Sequence, residues 1–590
     1  MKKQKSIPAV KKEIVLNKKL KYGMLLVFGV YLFLLTSYKA AGDDDMFWHL
    51  STGRYIAETK SVPSADVFGY ITEGNPWIPI EWAWDTVTYL IYSAFSYEGL
   101  SVLRSIIVLA MFFVLYLTLK RLKLPASVIV VSLFILSIGL FERYSIRPHL
   151  VSYLFTAIVL YIIVRLRYTA KPEGRLLYYF PPIFFVWVNF HQGVYFGLLL
   201  FAIYIIYEAS GIYLLKKRRT EFPKDKLFIK ILFAFFAVSV ICLLLTPHTV
   251  DTIIYTYNHA SMKMLQSINE WKSPFEPMFA SELNIVFYKI FLFAGVIVLI
   301  QSIRKKVYFT AIVTVIFGII STTGIRFITD YEIISSVFIF SSIYFLFTGR
   351  KYKQIQAAIL SKPVTVYVII ALLAVVSYTI PNGKMYSGFF KEYKVFGLGI
   401  DRDFYPIKMF EFAKENNINE TGSRVFNHYG VGGMFSWYFG PAQKNFIDSR
   451  NLSDEIFYMY DSLDYIKGNY EAKLRELGID YVMYYVPVLF QRPEVMNQIL
   501  VAHLSAKTDD WKLVYWDDIS FIFVKNNAAF AEIIKKYEYK YLTPYNFGYR
   551  RQLITDAMKS DRELYNKELQ RKLSEEPGGM IINTMAGTLR

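Results

Sequence analysis

Residues 22–380 carry eleven apolar runs, near 22–38, 100–119, 125–141, 149–164, 177–190, 193–215, 228–246, 284–303, 307–321, 331–348 and 363–380. A helix that crosses a bilayer needs about 20 mostly apolar residues, because backbone groups in hydrocarbon find partners only within the segment. So many runs leave few folds open: a bundle of membrane helices, with water-soluble structure confined to loops and ends. Residues 385–590 read as ordinary soluble protein. Composition agrees, since only 19% of the 590 residues are charged, where a soluble chain carries roughly a quarter. The expected organisation is a basic cytoplasmic N-terminus at 1–21 and a transmembrane domain at 22–383 with a large first outer loop at 42–99. An extracytoplasmic α/β domain at 384–527 and a helical C-terminal region at 528–590 follow. The basic start and the run at 22–38 look like a signal peptide. No small-residue cleavage pattern follows, because Ala40-Ala41-Gly42 leads straight into a charged motif, so this run is expected to remain as the first span.

The formal net charge of +18 does not point to nucleic acid, because much of it lies in short loops between apolar runs. Lys120, Arg121 and Lys123 occupy one loop; Arg165, Arg167, Lys171 and Arg175 another; Lys216, Lys217, Arg218 and Arg219 a third. Arg304, Lys305 and Lys306, then Arg350, Lys351 and Lys353, complete the alternation. Cytoplasmic loops are the ones enriched in Lys and Arg. This series therefore predicts a multi-pass protein of the plasma (inner) membrane with its C-terminal domain outside. The single cysteine, Cys242, lies in an apolar run, so an intramolecular disulfide or a cysteine metal cluster is excluded.

With that orientation, the chemically useful side chains collect on the outer face. The first outer segment reads Gly42-Asp43-Asp44-Asp45-Met46-Phe47-Trp48-His49. Adjacent carboxylates beside a membrane suit a general base or a metal ligand, or simply a solvated turn before a helix starting at Met46. A helix here would hold the His49 imidazole about one turn from Asp45. Farther along, Glu81 and Asp85 stand one helical turn apart in a tryptophan-rich stretch that itself reads as an interfacial aromatic belt. Other outer loops supply Arg143, Arg147 and His149, then Asn189 and His191, Glu270, and Arg326. Ionisable groups at membrane depth are costly and mark functional sites. The arginines suit phosphate through their bidentate fork.

Together these residues resemble a family. Asp43-x-Asp45-x-Phe47-Trp48-His49-Leu50-x-x-Gly53-Arg54, then Pro63-x-x-Asp66 and Trp77 with Glu81-Trp82, resemble the first outer loop of bacterial GT-C-type membrane glycosyltransferases. Arg147-Pro148-His149, Trp187-x-Asn189-x-His191-Gln192-Gly193 and Glu270-Trp271-x-Ser273-Pro274 look like further motifs of the group. So do Val425-Phe426-Asn427-His428-Tyr429-x-x-Gly432-Gly433 and Phe446-Ile447-Asp448-Ser449-Arg450 in the hydrophilic half. The resemblance implies a GT-C-like helical membrane domain and sugar transfer from a polyprenyl-phosphate donor to a glycan, lipid or protein acceptor. It implies Asp43 or Asp45 as the catalytic base. The remaining residues, His49, Glu81, Asp85, Arg143, Arg147, His149, Asn189, His191, Glu270 and Arg326, would bind substrate. A divalent cation such as Mg or Mn would find its oxygens at Asp43 and Asp45. Expected partners are the lipid-linked donor, the acceptor and membrane lipids, with no nucleic acid. Thr246-Pro247-His248 departs from the Asn-Pro pair expected there.

In the hydrophilic half, strands are expected at 424–428, 444–448, 479–485, 512–516 and 520–524, with helices at 405–415, 453–468 and 470–477. Gly430-x-Gly432-Gly433 has the wrong spacing for a nucleotide loop and reads as a structural turn. Two or three helices are expected over 528–575, then a loose tail after Pro577-Gly578-Gly579. Two other functions fit a polytopic protein. A lipid or polysaccharide transporter or flippase would place polar groups near the midplane, on broken or repeated helices, whereas these lie at helix ends. A non-catalytic envelope assembly protein would use the outer domain for docking.

Overall fold

The computed structural model describes residues 17–169, 173–213, 225–347, 362–487, 489 and 492–588. The loops with Lys216–Arg219 and Arg350–Lys353, and most of the basic N-terminus, lie outside the described residues. The first helices in chain order are α1 (Lys18–Thr36), α2 (Asp45–Thr59), α3 (Trp82–Arg121), α4 (Ala126–Gly139), α5 (His149–Arg167), α6 (Phe180–Phe190) and α7 (Val194–Tyr213). Next are α8 (Lys226–Cys242), α9 (Val250–Ala260), α10 (Leu283–Arg304), α11 (Tyr308–Ser321), α12 (Ile328–Phe347) and α13 (Pro363–Thr379). Two compact units emerge. One holds Met1–Lys39, Ser101–Leu245 and Ile268–Leu398; the other holds Ala40–Leu100, Thr246–Ser267 and Gly399–Arg590.

The first unit is helical, and a helix stands at each of the eleven apolar runs. Among the described residues, six helices are long and apolar enough to cross a membrane alone, and a seventh crossing is available if Pro363–Thr379 and Lys384–Phe390, bent by 98°, count as one. The chain is a multi-pass membrane protein. Four expected spans form shorter helices: α4 and α11 have 14 residues, α8 has 17 and α6 has 11. Pro125 precedes α4, Pro181 and Pro182 occupy the start of α6, and His191 ends α6 in extended backbone. Where helices meet, small hydroxyls join them: Tyr31 to Ser137 at 3.1 Å, Thr36 to Ser105 at 2.9 Å and Tyr288 to Ser321 at 2.8 Å. In hydrocarbon such bonds and close packing replace the hydrophobic effect as the association force.

The second unit is built on a four-stranded sheet of β1 (Val425–Asn427), β2 (Tyr481–Tyr485), β3 (Trp511–Trp516) and β4 (Ser520–Lys525), in the order β1-β2-β4-β3. β1 pairs parallel with β2, Val425 opposite Tyr481, and β4 pairs antiparallel with both β2 and β3. The β3–β4 turn is fixed by Asp517, whose Oδ1 accepts from the Ile519 amide at 2.9 Å. The segment 444–448 is not a strand. Asn445 instead makes an isolated bridge to Gly69, and the Phe446 amide donates to the Asn427 side chain at 2.8 Å. Side-chain amides there take over the backbone groups that a strand would have paired. The tail after Gly579 is also not loose. Met580–Thr588 forms a helix whose first amides donate to the Asp518 carboxylate at 2.6 and 2.8 Å, and Ile581, Ile582 and Met585 are buried.

Candidate functional sites

In the second unit, the acidic run sits at the head of α2. Asp44 takes the N-cap position without a side-chain capping bond, and Asp45 is the first helical residue. Negative charge at a helix N-terminus is favoured by the exposed amides and the macrodipole, so the three carboxylates are held where the backbone helps to bear them. Asp43 is 3% exposed, and its amide donates to the Tyr405 hydroxyl at 2.7 Å. Burial first, then the Asp44 and Asp43 carboxylates, push the Tyr405 phenol far up, so it stays neutral. Asp45 is half-buried, and the Ser449 hydroxyl donates to its Oδ1 at 2.5 Å.

One turn on, His49 meets Asp85, Nδ1 to Oδ1 at 2.5 Å, with both side chains buried. Trp48 covers the imidazole at 3.7 Å between ring centres. The contact requires α2 and the start of α3 to touch, and Gly53 permits it: a Cβ there would lie 2.0 Å from the Asp85 carbonyl oxygen. Glu81 immediately precedes α3, half-buried, and its carbonyl accepts the Asp85 amide at 3.0 Å.

The helix Gly432–Phe439 packs on α2, and Gly433 makes that approach. A Cβ on Gly433 would lie 3.2 Å from both the Asp44 carbonyl and the Trp48 amide nitrogen; on Gly432 it would lie 1.9 Å from the Ile447 carbonyl oxygen. Behind this layer Arg450 is buried between two acids. It grips Asp448 through Nε and Nη2 and reaches Asp66 through Nη1 at 2.7 Å, with its guanidinium 4.5 Å from the Trp77 ring centre. Burial alone would raise the Asp448 carboxyl, but Arg450 outweighs it and holds the group below the usual range. Asp448 and Arg450 are thus an internal clamp. Trp77 and Trp84 are buried in this unit instead of forming an interfacial belt.

In the first unit a second cluster forms where the turn Phe141–Arg143, the start of α5, the α6–α7 turn and the segments Asn269–Trp271 and Ile325–Phe327 come together. Glu270 Oε1 receives Arg143 at 3.1 Å and Arg147 at 3.5 Å. Arg326 lies over Trp271 at 4.2 Å. Burial raises the Glu270 carboxyl, but Arg143, Arg147 and Arg326 more than offset this and hold it well below the carboxylate range. Asp330, buried in α12, is an electrostatic neighbour of Arg143 and Arg326.

The histidines of this cluster have assignable tautomers. His149 Nε2 lies 3.0 Å from the Arg143 carbonyl, which only accepts, so Nε2 carries the proton. The Gly193 amide, which only donates, points at His191 Nδ1 at 3.0 Å. Nδ1 is therefore an acceptor, so the Ser152 hydroxyl donates to it at 2.7 Å and accepts from Trp187 Nε1 at 2.6 Å. Burial lowers the His191 imidazole to about 3, with Arg326 and Arg143 adding to the effect. His191 is thus neutral near pH 7 and presents an Nε2–H donor. The Asn189 amide is directed to the Phe185 and Leu245 carbonyls at 2.8 and 3.0 Å, tying α6 to the end of α8.

The structure thus gathers Asp43, Asp45, His49, Glu81 and Asp85 within one unit, and Arg143, Arg147, His149, Asn189, His191, Glu270 and Arg326 within the other. Ser449, Tyr405, Ser152 and Asp330 escaped sequence reasoning. Ser449 stands inside a motif already singled out; Asp330 carried a signal as an acid within an apolar run. Among the described residues, no three His, Cys, Asp or Glu side chains are grouped to hold a metal ion.

A helical membrane unit and a mixed α/β unit, each carrying a polar cluster, make up this multi-pass membrane protein. No protein-family model and no curated protein matches the sequence. Among solved structures, the chain is similar to the Archaeoglobus fulgidus oligosaccharyltransferase tethered to an acceptor peptide, with TM-score 0.54 and 11% identity over 87% of this chain and 74% of that one. It is similar also to archaeal oligosaccharyltransferase AglB from the same organism, in complex with an inhibitory peptide and a dolichol-phosphate, with TM-score 0.52 and 10% identity over 87% and 75%. A weaker likeness, TM-score 0.48, is to ArnT from Cupriavidus metallidurans in the apo state, at 12% identity over 87% and 98%. At such identities the likeness to the two oligosaccharyltransferase structures establishes a shared fold alone.

Proposed function

We propose that the chain is an integral membrane glycosyltransferase that moves a sugar from a polyprenyl-phosphate donor to an acceptor hydroxyl or amide on the extracytoplasmic face of the plasma membrane. The observation that carries this reading is the acidic head of α2, with Asp45 oriented by Ser449, in a chain with the fold of oligosaccharyltransferases, one of which was solved with dolichol-phosphate. Of the two candidate bases, Asp45 is the more accessible, and Asp43 is the buried one.

In this reading a carboxylate oxygen of Asp45 takes the proton of the acceptor as the acceptor atom bonds to the sugar's anomeric carbon. The bond from that carbon to the donor phosphate breaks, and its electron pair leaves with the lipid phosphate. General base help of this kind contributes about 10²–10⁴-fold. Arg143, Arg147 and Arg326 form a cluster of their own in the other unit, with forked donors that suit a phosphate. His191 would donate through Nε2–H, and His49, Glu81, Asp85, His149, Asn189 and Glu270 would position substrate or its neighbours. Among the described residues no group of three His, Cys, Asp or Glu side chains includes Asp43 and Asp45, and no step is assigned to a divalent cation.

The test is transfer from a short-chain polyprenyl-phosphate hexose by purified protein in detergent. Asp45→Asn should lower kcat by about 100-fold or more with the thermal midpoint unchanged. Wild-type rates in both Asp45→Asn and Asp43→Asn would sink the mechanism. If wild type transfers nothing but moves labelled lipid across vesicles, transport replaces transfer. Mass spectrometry of glycans lost on deletion would identify the product.

A further inference from the structure

At the other end of the first unit lies a cavity of about 320 Å³ whose rim carries Arg121, Lys123 and Lys305, and which Gln301, Ser302 and Tyr168 also line. Its position follows from the helices. α5 begins at His149 in the arginine cluster and ends at Arg167, next to Tyr168; α12 begins beside Arg326 and contributes Ser341 and Phe345 to the cavity. A rise of 1.5 Å per residue over the 19 residues of α5 places the two sites roughly 28 Å apart, close to the thickness of a hydrocarbon core. This cavity is therefore not part of the sites described above.

Three features of the cavity point to one ligand chemistry. No carboxylate is among its described lining residues, whereas three cations, Arg121, Lys123 and Lys305, are. The Gln301 amide has both its oxygen and its nitrogen shut from water with no hydrogen-bond partner, a condition that destabilises a buried polar group. Such a group is stabilised by a ligand able to donate and accept. Finally, Val307, Phe338 and Phe345 give the cavity an apolar side. An anion with hydroxyls at one end and hydrocarbon at the other meets all three demands.

We propose that this cavity binds the phosphodiester headgroup of an anionic membrane lipid, with Arg121, Lys123 and Lys305 taking the phosphate and Gln301 and Ser302 the headgroup hydroxyls. On the topology proposed above, the lipid belongs to the cytoplasmic leaflet. The assignment does not depend on the transfer reaction, because it rests on this cavity alone.

The test uses full-length protein reconstituted in nanodiscs of mixed phosphatidylglycerol and phosphatidylcholine, with retained lipid counted by native mass spectrometry after release. Wild type should retain phosphatidylglycerol over phosphatidylcholine. Arg121→Gln and Lys305→Gln should each weaken retention by about fivefold, the value of one cation near an anionic membrane surface. Both residues are exposed, so folding should survive, and an unchanged thermal midpoint checks it. Gln301→Leu should weaken retention with no change of charge, whereas Lys467→Gln, in the other unit, should leave it as in wild type. Equal retention of the two lipids by wild type, or unaltered retention in all three cavity variants, would overturn the proposal. So would a thermal shift by inorganic phosphate alone, in phosphatidylcholine discs, matching that given by phosphatidylglycerol; the ligand would then be a soluble phosphate.

Discussion

His191 shows how much chemistry a single hydrogen-bond network can fix. The Gly193 amide, the Ser152 hydroxyl and Trp187 Nε1 leave the ring one tautomer. With its folded value near 3 and an unfolded value near 6.5, the folded state resists protonating a ring that the unfolded chain protonates readily. The stability this confers is complete above about pH 6.5 and is lost as pH falls toward 3. Thermal unfolding in detergent should therefore show a midpoint falling between pH 6.5 and 4, less steeply in His191→Asn. Equal slopes would show that His191 carries no such linkage. Ser152→Ala removes the partner of two groups at once and should cost about 1–3 kcal/mol, read as a lower unfolding midpoint. Such dependencies are only half legible in a sequence. The motif Trp187-x-Asn189-x-His191-Gln192-Gly193 can be noticed, but Ser152, which joins Trp187 to His191 across 35 and 39 positions, looks like any hydroxyl in an apolar helix.

At the scale of elements, α2 owes its place to two glycines. Gly53 admits the start of α3, while Gly433 admits the neighbouring helix. Gly53→Ala would drive a methyl carbon into the Asp85 backbone at 2.0 Å, prising apart the segments that carry His49 and Asp85. Overpacking of this sort costs about 1–3 kcal/mol. The variant should unfold at lower temperature and lose transfer, although it touches no proposed reacting group. A variant as stable and active as wild type would show that the α2–α3 contact is dispensable. In the sequence these glycines were visible as motif positions, and the wrong phosphate-loop spacing rightly suggested a structural part. The surfaces they serve were not visible, because Gly433 meets the Trp48 backbone 385 positions away and Gly53 meets Asp85 32 positions on. The helices of the membrane unit were legible for the opposite reason. Hydropathy is a local property, and a run of apolar residues in lipid has only one way to satisfy its backbone. Segment 444–448 misled because its apolar residues imitate a buried strand, while Asn427 and Asn445 supply the bonds that a strand neighbour would have made.

For the molecule as a whole, the reading turns on which side of the membrane each helix end faces. Basic residues at Arg121, Lys123 and Lys305 gather at one end of the membrane unit, and the Glu270 cluster at the other. If the positive end lies in the cytoplasm, where Lys- and Arg-rich loops are retained, then His149, Arg326 and Glu270 open toward the outside. Single cysteines can decide the matter once the buried Cys242 is replaced by serine. Lys305→Cys should react with a membrane-impermeant maleimide only after cells are permeabilised. Lys467→Cys, exposed beside Asp461 in the mixed α/β unit, should react in intact cells once any outer barrier is opened. The consequence reaches beyond topology. A polyprenyl-phosphate sugar presented on the outer leaflet cannot be a substrate for groups that face the cytoplasm, so labelling of both positions from the same side would remove the donor from the proposal and leave the fold without its reaction.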